Sequence, residues 1–416
     1  MSETPQIASI VPVPTLAVNG RSQLTIGIQL SSGQQFWADC VDVPAASQVR
    51  ETAVFDPTQA AHLVHTLVRP LWQGQPAAEF RSLAQQLLPL TESFRYTRTI
   101  PPKPQPATGA VSRRSVITGF LAEEEPPGSR EEWVTVERPL HPALQYGLTA
   151  ALLPAVAAAN RVTMAELVAR EYGLAGVETA VPLQIPLSDD AIQTAQSILT
   201  THVASLGYTT GSQNHKAILG ASGERLQQHV RQVAAWLPTL NPTYAPTLHL
   251  DLGGGFGDLF ANNDGKILGA LYGLEQAAKP YTLLVQNPIW REDLATQQAQ
   301  LKQLTSFCRT RRLQLQLVAD AWVDSFEAAT QFADASVCQM VHINLPRLGN
   351  LEEGITAVRH LLDQNQAVIL SGEAQPLTTH IALATRPSQL KGPPQLHYNV
   401  MQQLRHAQYP DAELSD

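Results

Sequence analysis

Between His249 and Gly372 the chain repeats one pattern five times: a short apolar run that ends in a polar residue. The runs are His249–Asp251, Leu283–Asn287, Leu317–Asp320, Met340–Asn344 and Ala367–Gly372. Their ends lie roughly 24 to 35 residues apart, the length of one strand, one helix and two loops. Apolar strands that alternate with helices are typical of a parallel α/β sheet covered on both faces. In a barrel built of such strands, the chemistry lies at the carboxyl ends of the strands.

The N-terminal part of the chain has a different pattern. Thr25–Leu30 and Gln35–Asp39 alternate apolar and polar residues around a turn signal, which predicts an antiparallel hairpin. Helical spacing follows in Pro57–Val68 and Ala77–Leu88. These features predict an N-terminal α+β domain.

Two proline-rich stretches, 101–106 and 123–128, must be extended because proline blocks helical pairing. They are either mobile covers over a site or solvated loops. His141–Asn160 is apolar nearly all round, which predicts a buried helix, and Thr163–Glu166 predicts a capping box. Val181–Ile185 is a candidate first barrel strand. We expect a capping domain at 1–175, the barrel at 176–392 and a tail at 393–416 that packs on the outside.

Composition narrows the class of protein. The 416 residues are 44% hydrophobic and 15% charged, which are globular values, and the net charge of −8 argues against nucleic acid or an acidic membrane as a partner. The three cysteines lie far apart and predict buried free thiols. No run of 18 apolar residues and no charged-then-apolar leader is present, so we expect a soluble cytoplasmic protein.

Several motifs, in order and with similar spacing, resemble methylaspartate ammonia-lyase of the enolase superfamily. They are Leu140–Gly147, Arg161–Glu166, His249–Asp251, Val318–Trp322 and Val341–Gly349. The resemblance runs from about Leu140 to Gly372. It implies an enolase-superfamily (β/α)8 TIM-type barrel under an N-terminal α+β capping domain, a homodimer, and a Mg²⁺ ion that takes the substrate carboxylate. The implied reaction deaminates 3-methylaspartate to mesaconate, with a lysine and a histidine on opposite faces of the substrate.

Carried over residue by residue, the metal ligands of the family fall on Asp251, Gln286 and Asp320, where Gln286 replaces a glutamate. The lysine base falls on Asn344. The opposing histidine falls on Tyr208, or on Thr209 given a one-residue uncertainty.

The substrate-binding positions of the family also differ here. A glutamine falls on His342, and the threonine and cysteine of a late loop fall on Glu373 and Ala374. A substitute site is chemically possible. His342 faces the same way as Asn344 and is a candidate base. Glu373 is a candidate replacement for the missing carboxylate, and Lys216 is a lysine that could reach inward from its loop.

Each departure has a chemical consequence. Mg²⁺ prefers charged oxygen ligands, so the Gln286 amide should weaken metal binding without abolishing it. Asn344 has no usable basicity near neutral pH, and a tyrosine such as Tyr208 titrates near pH 10. These losses argue against the parental reaction.

Two functions therefore stay open. The first is a relative without the elimination activity: a pseudoenzyme, a binder of a small carboxylated or amino-acid ligand, or a repurposed enzyme. The second is an active Mg²⁺-dependent carbon–nitrogen lyase acting on 3-methylaspartate or a related amino acid. Purely structural roles also stay open for the strand-end acids, for His342 and for Glu373.

Overall fold

The fold is that of a computed structural model, which describes residues 4–16, 22–43, 55–100, 130–175, 181–187, 195, 198, 203–211, 214–334, 337–373 and 375–392. The proline-rich stretches at 101–106 and 123–128, Ala374 and the tail 393–416 lie outside these residues. The predictions made for them stay predictions.

Eight parallel strands form a closed barrel, each hydrogen-bonded to the next in chain order, and the last closes on the first. The strands are β6 (Leu183–Pro186), β7 (Ser205–Thr209), β8 (Thr247–Asp251), β9 (Leu283–Gln286), β10 (Gln316–Ala319), β11 (Met340–Asn344), β12 (Ala367–Ser371) and β13 (Gln389–Lys391). The predicted barrel is confirmed, and the five apolar runs are β8 to β12. Because all strands run the same way, their carboxyl ends meet at one rim, which we call the mouth.

Helices surround the barrel and connect its strands. They are His215–Leu219, Glu224–Leu240, Gly255–Leu259, Asp264–Ala278, Leu294–Thr310, Phe326–Asp334, Leu345–Leu348, Leu351–Asp363 and Gln375–Thr385. Their apolar faces bury side chains such as Leu237, Leu271 and Leu304 against the outer side of the strands. The outer layer thus holds the strand ends in fixed register.

The N-terminal domain combines a sheet and helices, as predicted. The sheet contains β1 (Ile7–Leu16), β2 (Ser22–Leu30) and β3 (Gln35–Asp39), all antiparallel. Helical turns follow at Pro57–Leu63, Val64–Val68 (a π-helical turn), Arg69–Trp72 and Phe80–Gln85. The pattern did not predict β4 (Thr91–Ile100) and β5 (Arg130–Pro139), a two-stranded antiparallel ribbon. Its strands are rich in Thr, Arg and Glu, so they lack the apolar run that reveals a buried strand.

The helix Pro142–Asn160 joins the capping domain to the barrel, and Met164–Tyr172 follows with the predicted capping box. Pro142–Asn160 is long and apolar enough to cross a membrane, but 78% of its most apolar 18-residue stretch is buried inside the protein. A Cβ on its Gly147 would come within 2.5 Å of Cys40 Sγ, so this glycine allows the helix to lie directly on β3. At the other end, Gly349 of the barrel has φ of +84° and approaches Pro142 closely. Pro142–Asn160, which the sequence predicted to be a buried helix, therefore packs between the N-terminal domain and the barrel.

Candidate active site at the barrel mouth

The three predicted metal positions lie together at the mouth. Asp251 ends β8, Gln286 ends β9, and Asp320 directly follows β10. Gln286 is 1% exposed, and its Nε2 donates to Asp251 Oδ2 at 3.0 Å and to Asp320 Oδ2 at 3.1 Å. Its amide thus bridges the two carboxylates through N–H donors.

Asn287 forms a second bridge between the same carboxylates. Its Nδ2 donates to Asp320 Oδ2 at 2.9 Å and to Asp251 Oδ1 at 3.2 Å. The orientation of this amide is fixed, because its Oδ1 accepts a hydrogen bond from the backbone N–H of Ala321 at 3.0 Å. Two side-chain amides therefore satisfy oxygens of both acids.

Asp320 also has two basic partners. The Arg347 guanidinium contacts Asp320 Oδ1 and donates to the Asp320 carbonyl oxygen at 3.0 Å. His342 Nδ1 lies 3.0 Å from the same Oδ1, and His342 Nε2 lies 2.8 Å from Ser371 Oγ. The side chain of Arg347 is 12% exposed and that of His342 is 3% exposed, so little water screens these contacts.

The two carboxylates differ in their electrostatics. Burial opposes the charge on Asp320, but the Arg347 guanidinium and His342 outweigh it and hold the pKa of Asp320 well below its ordinary value. Burial and the nearby Asp320 charge raise the pKa of Asp251. Burial lowers the pKa of His342, so its imidazole is neutral at physiological pH. The mouth therefore holds two neighbouring acids whose pKa values are shifted in opposite directions.

Asn344, the predicted lysine-base position, has a structural partner. It is the N-cap of the helix Leu345–Leu348, and its Oδ1 accepts a hydrogen bond from Arg347 N at 3.3 Å. A side-chain oxygen at this position satisfies a backbone N–H that has no partner within the helix. Asn344 thus caps the short helix that carries Arg347.

The prediction for Tyr208 needs a correction. Its ring packs on the His229 ring of the helix Glu224–Leu240, with centroids 4.4 Å apart. Successive strand residues point to opposite faces, and Tyr208 points to the helix side of the barrel wall. The phenol therefore lies outside the mouth. Thr209, the alternative position, is exposed at the rim and has no basicity.

Two further candidates lie away from the carboxylates. Glu373 is exposed and lines a cavity of about 340 Å³ against the capping domain, with Trp37 and Tyr146 among its other walls. It does not join Asp251 and Asp320, which corrects its suggested role as a replacement ligand. Lys216 is exposed on the helix His215–Leu219.

Lys391, at the end of β13, is a cation of the mouth that the sequence reasoning missed. It lines a cavity of about 30 Å³ with Asp251, Thr209, His249 and Gln184. Both Lys391 and His249 line this cavity, and after burial the Lys391 charge is the next cause that lowers the pKa of His249. Little in the sequence indicated this strand, because β13 has only three residues and no apolar run.

Sequence comparison places the chain among known proteins. The family profile described as "Methylaspartate ammonia-lyase C-terminus" matches residues 176–399, and the profile described as "Methylaspartate ammonia-lyase N-terminus" matches 123–173. The chain belongs to the methylaspartate ammonia-lyase family.

Individual relatives match over part of their length. "Methylaspartate ammonia-lyase 1" of Carboxydothermus hydrogenoformans is 34% identical over 60% of this chain and 61% of its own. "Methylaspartate ammonia-lyase 2" of the same organism is 32% identical over 62% of this chain and 63% of its own. The match thus spans less than two thirds of the length of these relatives.

Solved structures confirm the fold. The methylaspartate ammonia-lyase of Citrobacter amalonaticus, crystallised with (2S,3S)-3-methylaspartic acid, has a TM-score of 0.76 with 20% identity, over 97% of this chain and 99% of its own. Muconate cycloisomerase from Pseudomonas fluorescens has a TM-score of 0.58 with 14% identity, over 91% of this chain and 84% of its own. The protein is an enolase-superfamily member with a TIM barrel.

A Mg complex is known for the family member of Clostridium tetanomorphum, so the fit of Mg²⁺ to this mouth can be judged from its donors. Mg²⁺ requires an octahedral shell of oxygens at about 2.0–2.1 Å. Here all four carboxylate oxygens of Asp251 and Asp320 face N–H groups, and one of them faces a guanidinium. Within the described part of the chain, no third His, Cys, Asp or Glu completes a metal-binding group with them. Gln286 Oε1 is a further oxygen, buried and without a hydrogen-bond partner among the described residues, so this donor set is a weak match for Mg²⁺.

Proposed function

We propose that this chain is a methylaspartate ammonia-lyase relative that has lost the Mg²⁺-dependent elimination. We propose further that its mouth binds a small carboxylated ligand without a metal. The observation that carries the first part is the double bridge: Gln286 and Asn287 donate amide N–H groups to both acids that would hold the ion. A cation entering there would displace these donors and meet the like charge of Arg347.

The base positions support the same conclusion. Asn344 caps a helix, the phenol of Tyr208 packs on the outer side of the wall, and Thr209 cannot accept an α-proton. His342 has a pKa lowered by burial; its Nε2 is hydrogen-bonded to Ser371 Oγ, and its Nδ1 lies 3.0 Å from Asp320 Oδ1 without hydrogen-bond geometry. An α-proton adjacent to a carboxylate is very weakly acidic, so its removal requires a metal ion that stabilises the ene-diolate as well as a base.

Lys391 supports the ligand class. The family uses a metal cation to take the substrate carboxylate, and Lys391 is a cation at the same rim. The cavity beside it, about 30 Å³, holds roughly two water-sized groups, which matches the two oxygens of a carboxylate. We therefore propose that the ligand carboxylate binds the Lys391 ammonium, with Thr209 as a second donor.

The loss of elimination is tested by ultraviolet absorbance, because mesaconate absorbs and 3-methylaspartate does not. Purified protein is incubated with 3-methylaspartate and Mg²⁺, with the Clostridium tetanomorphum enzyme as positive control. We expect a flat trace for this chain. A steady rise that Asp320→Ala abolishes would overturn the proposal.

Ligand binding is tested by thermal shift with mesaconate, 3-methylaspartate and other dicarboxylates, with and without Mg²⁺. Saturation at about 100 Kd stabilises by about 2.7 kcal/mol, which raises Tm by several degrees. We expect a rise without Mg²⁺ that Lys391→Met removes. Lys216→Met, which changes an exposed lysine, is the matched control and should keep the rise. An equal rise in the Lys391→Met variant would contradict the assignment.

One observation favours the rival function, an active lyase. Lys391 is an amine at the mouth, and a lysine there is a candidate replacement for the base that Asn344 cannot supply. The absorbance assay separates the two functions, since an active lyase using this amine would form mesaconate and lose that activity in Lys391→Met.

A further inference from the structure

Ser371, His342 and Asp320 form a linear chain of contacts across three neighbouring strand ends. Ser371 Oγ lies 2.8 Å from His342 Nε2, and His342 Nδ1 lies 3.0 Å from Asp320 Oδ1. The residues come from β12, from β11 and from the position after β10, which adjacent strands hold side by side. A hydroxyl, an imidazole and a carboxylate joined in this order are the groups that activate a serine for nucleophilic attack.

We propose that Ser371 is a nucleophile of this mouth, with His342 as its general base and Asp320 as the group that orients the base. The substrate class is a small carboxylic ester. This inference rests on the proposed function, because it requires that Asp320 serves the imidazole and not a metal ion.

The surroundings of Asp320 favour this role. Arg347, Gln286 and Asn287 all donate to its carboxylate, which keeps it ionised and fixes its orientation. Asp320 Oδ1 lies 3.0 Å from His342 Nδ1 but off the hydrogen-bond direction, and its negative charge favours the tautomer with the proton on Nδ1. The other ring nitrogen, Nε2, then presents its lone pair to the Ser371 hydroxyl, as a general base must.

The order of burial also fits a nucleophile. Ser371 is 9% exposed, whereas His342 is 3% and Asp320 is 5% exposed. Ser371 is thus the most exposed of the three residues. By contrast, Ser205 Oγ is completely buried in the same barrel and has no hydrogen-bond partner among the described residues. Ser205 is a serine of the same barrel that has no hydrogen-bonded base among the described residues, so it serves as the control for labelling.

Lys391 supplies a charge for the developing oxyanion. It is the residue paired with Ser371 in the β12–β13 register, and its charge is one of the causes, after burial and Asp320, that act on the pKa of His342. A cation close to the reacting carbonyl stabilises the negative oxygen of a tetrahedral intermediate. The acid released from the ester is the carboxylated ligand class proposed above.

The step balances without a further reactant. Ser371 Oγ attacks the ester carbonyl carbon as its proton passes to His342 Nε2. The intermediate collapses, the carbon–oxygen bond to the alcohol breaks, and the leaving oxygen takes the proton from His342. Water then attacks the acyl-serine carbonyl carbon as its proton passes to His342 Nε2; the bond from that carbon to Ser371 Oγ breaks, His342 returns the proton to Oγ, and the carboxylic acid leaves.

The test is covalent labelling of the full chain with a fluorophosphonate, followed by intact mass and peptide mapping. We expect one added phosphonyl group, located on Ser371 and absent in Ser371→Ala. Labelling should be at least about 100-fold slower in His342→Gln, since a general base contributes a factor of that size. Ser205→Ala should label as the unchanged protein does. Hydrolysis of p-nitrophenyl acetate gives the same comparison with an ester.

Three results would overturn the inference: no label on Ser371, an equal labelling rate in His342→Gln, or a label that follows Ser205. Circular dichroism checks that each variant is folded. If His342→Gln does not fold, Lys391→Met provides the second comparison, because removal of the oxyanion partner should slow labelling about tenfold or more. Mesaconate formation would overturn the proposed function, whereas missing label with a flat absorbance trace would overturn only the nucleophile.

Discussion

Two sides of the mouth have changed in different ways. The acid side, at the ends of β8, β9 and β10, retains Asp251 and Asp320 of the three carboxylates that the family resemblance implies. The base side, at the ends of β7 and β11, retains neither base: Asn344 occupies one position, and Tyr208 or Thr209 the other. The acids now satisfy amides, a guanidinium and an imidazole. Carboxylates at these positions are therefore not evidence of a bound metal, because they have another structural role.

We expect the largest change in stability from a substitution on the acid side, at Asp320. Asp320→Ala leaves Arg347 buried without its carboxylate and removes acceptors from His342, Gln286 and Asn287. We expect the free energy of unfolding to fall by about 3–5 kcal/mol, as when one partner of a buried ion pair is removed. Denaturant titration followed by circular dichroism measures this.

Asp363→Ala is the matched control for that loss. Asp363 pairs with Arg359 at 3.7 Å, but its side chain is 66% exposed, so its removal should cost at most about 1 kcal/mol. Equal losses in the two variants would show that the Asp320 contacts contribute no more than a surface ion pair.

A smaller effect is expected at Asn344, on the base side. Asn344→Ala removes the N-cap of the helix Leu345–Leu348 and should cost about 1 kcal/mol, whereas Asn344→Asp keeps the accepting oxygen and most of the stability. Thermal unfolding of the two variants checks this. If Asn344→Asp lost as much stability as Asn344→Ala, the cap would not explain this residue.

The contributions of Asp251 and Asp320 to folding stability should depend on pH with opposite signs. Burial and the Asp320 charge raise the pKa of Asp251, so the folded chain binds that proton more tightly than the unfolded chain does. Its ionisation costs stability as pH rises above the ordinary carboxyl pKa of about 4, and the cost is complete above the raised pKa.

Asp251→Asn removes this cost while keeping an acceptor oxygen for the neighbouring N–H groups. We expect its change in unfolding free energy, about 1 kcal/mol or less, to become more favourable as pH rises through that window. Melting temperatures from pH 4 to 8 measure the trend. A stability difference between Asp251→Asn and the unchanged protein that stays constant over this range would contradict the electrostatic assignment.

The smallest effect is expected at Tyr208. Its ring packs on His229 outside the mouth, so Tyr208→Phe keeps the packing and should change stability by less than about 0.5 kcal/mol. Ligand binding and serine labelling should also be unchanged. A loss of either would place the phenol in the mouth.

The sequence predicted the barrel well for a physical reason. Strands buried on both faces must be apolar along their length, and β8 to β12 show this in order. The meeting of Asp251, Gln286 and Asp320 followed from the same argument. The sequence could not reveal the direction of the Tyr208 ring, because a shift of one residue on β7 exchanges the inner and outer faces.

The remaining contacts of the mouth depend on tertiary structure. Arg347 reaches Asp320 from the short helix Leu345–Leu348, which begins at the Asn344 cap and ends at Gly349, where the chain approaches Pro142 closely. Lys391 enters the mouth because β13 closes the barrel on β6. Ser371 meets His342 only through the β11–β12 register. None of these pairings leaves a local signal in the sequence.

A Mn²⁺-soaked crystal, with anomalous scattering recorded, tests the central claim most directly, since Mn²⁺ takes the same oxygen ligands as Mg²⁺. The account predicts no anomalous peak between Asp251 and Asp320, and the amide nitrogens of Gln286 and Asn287 within hydrogen-bond distance of both carboxylates. An ordered Mn²⁺ ligated by Asp251, Asp320 and Gln286 Oε1 would contradict it.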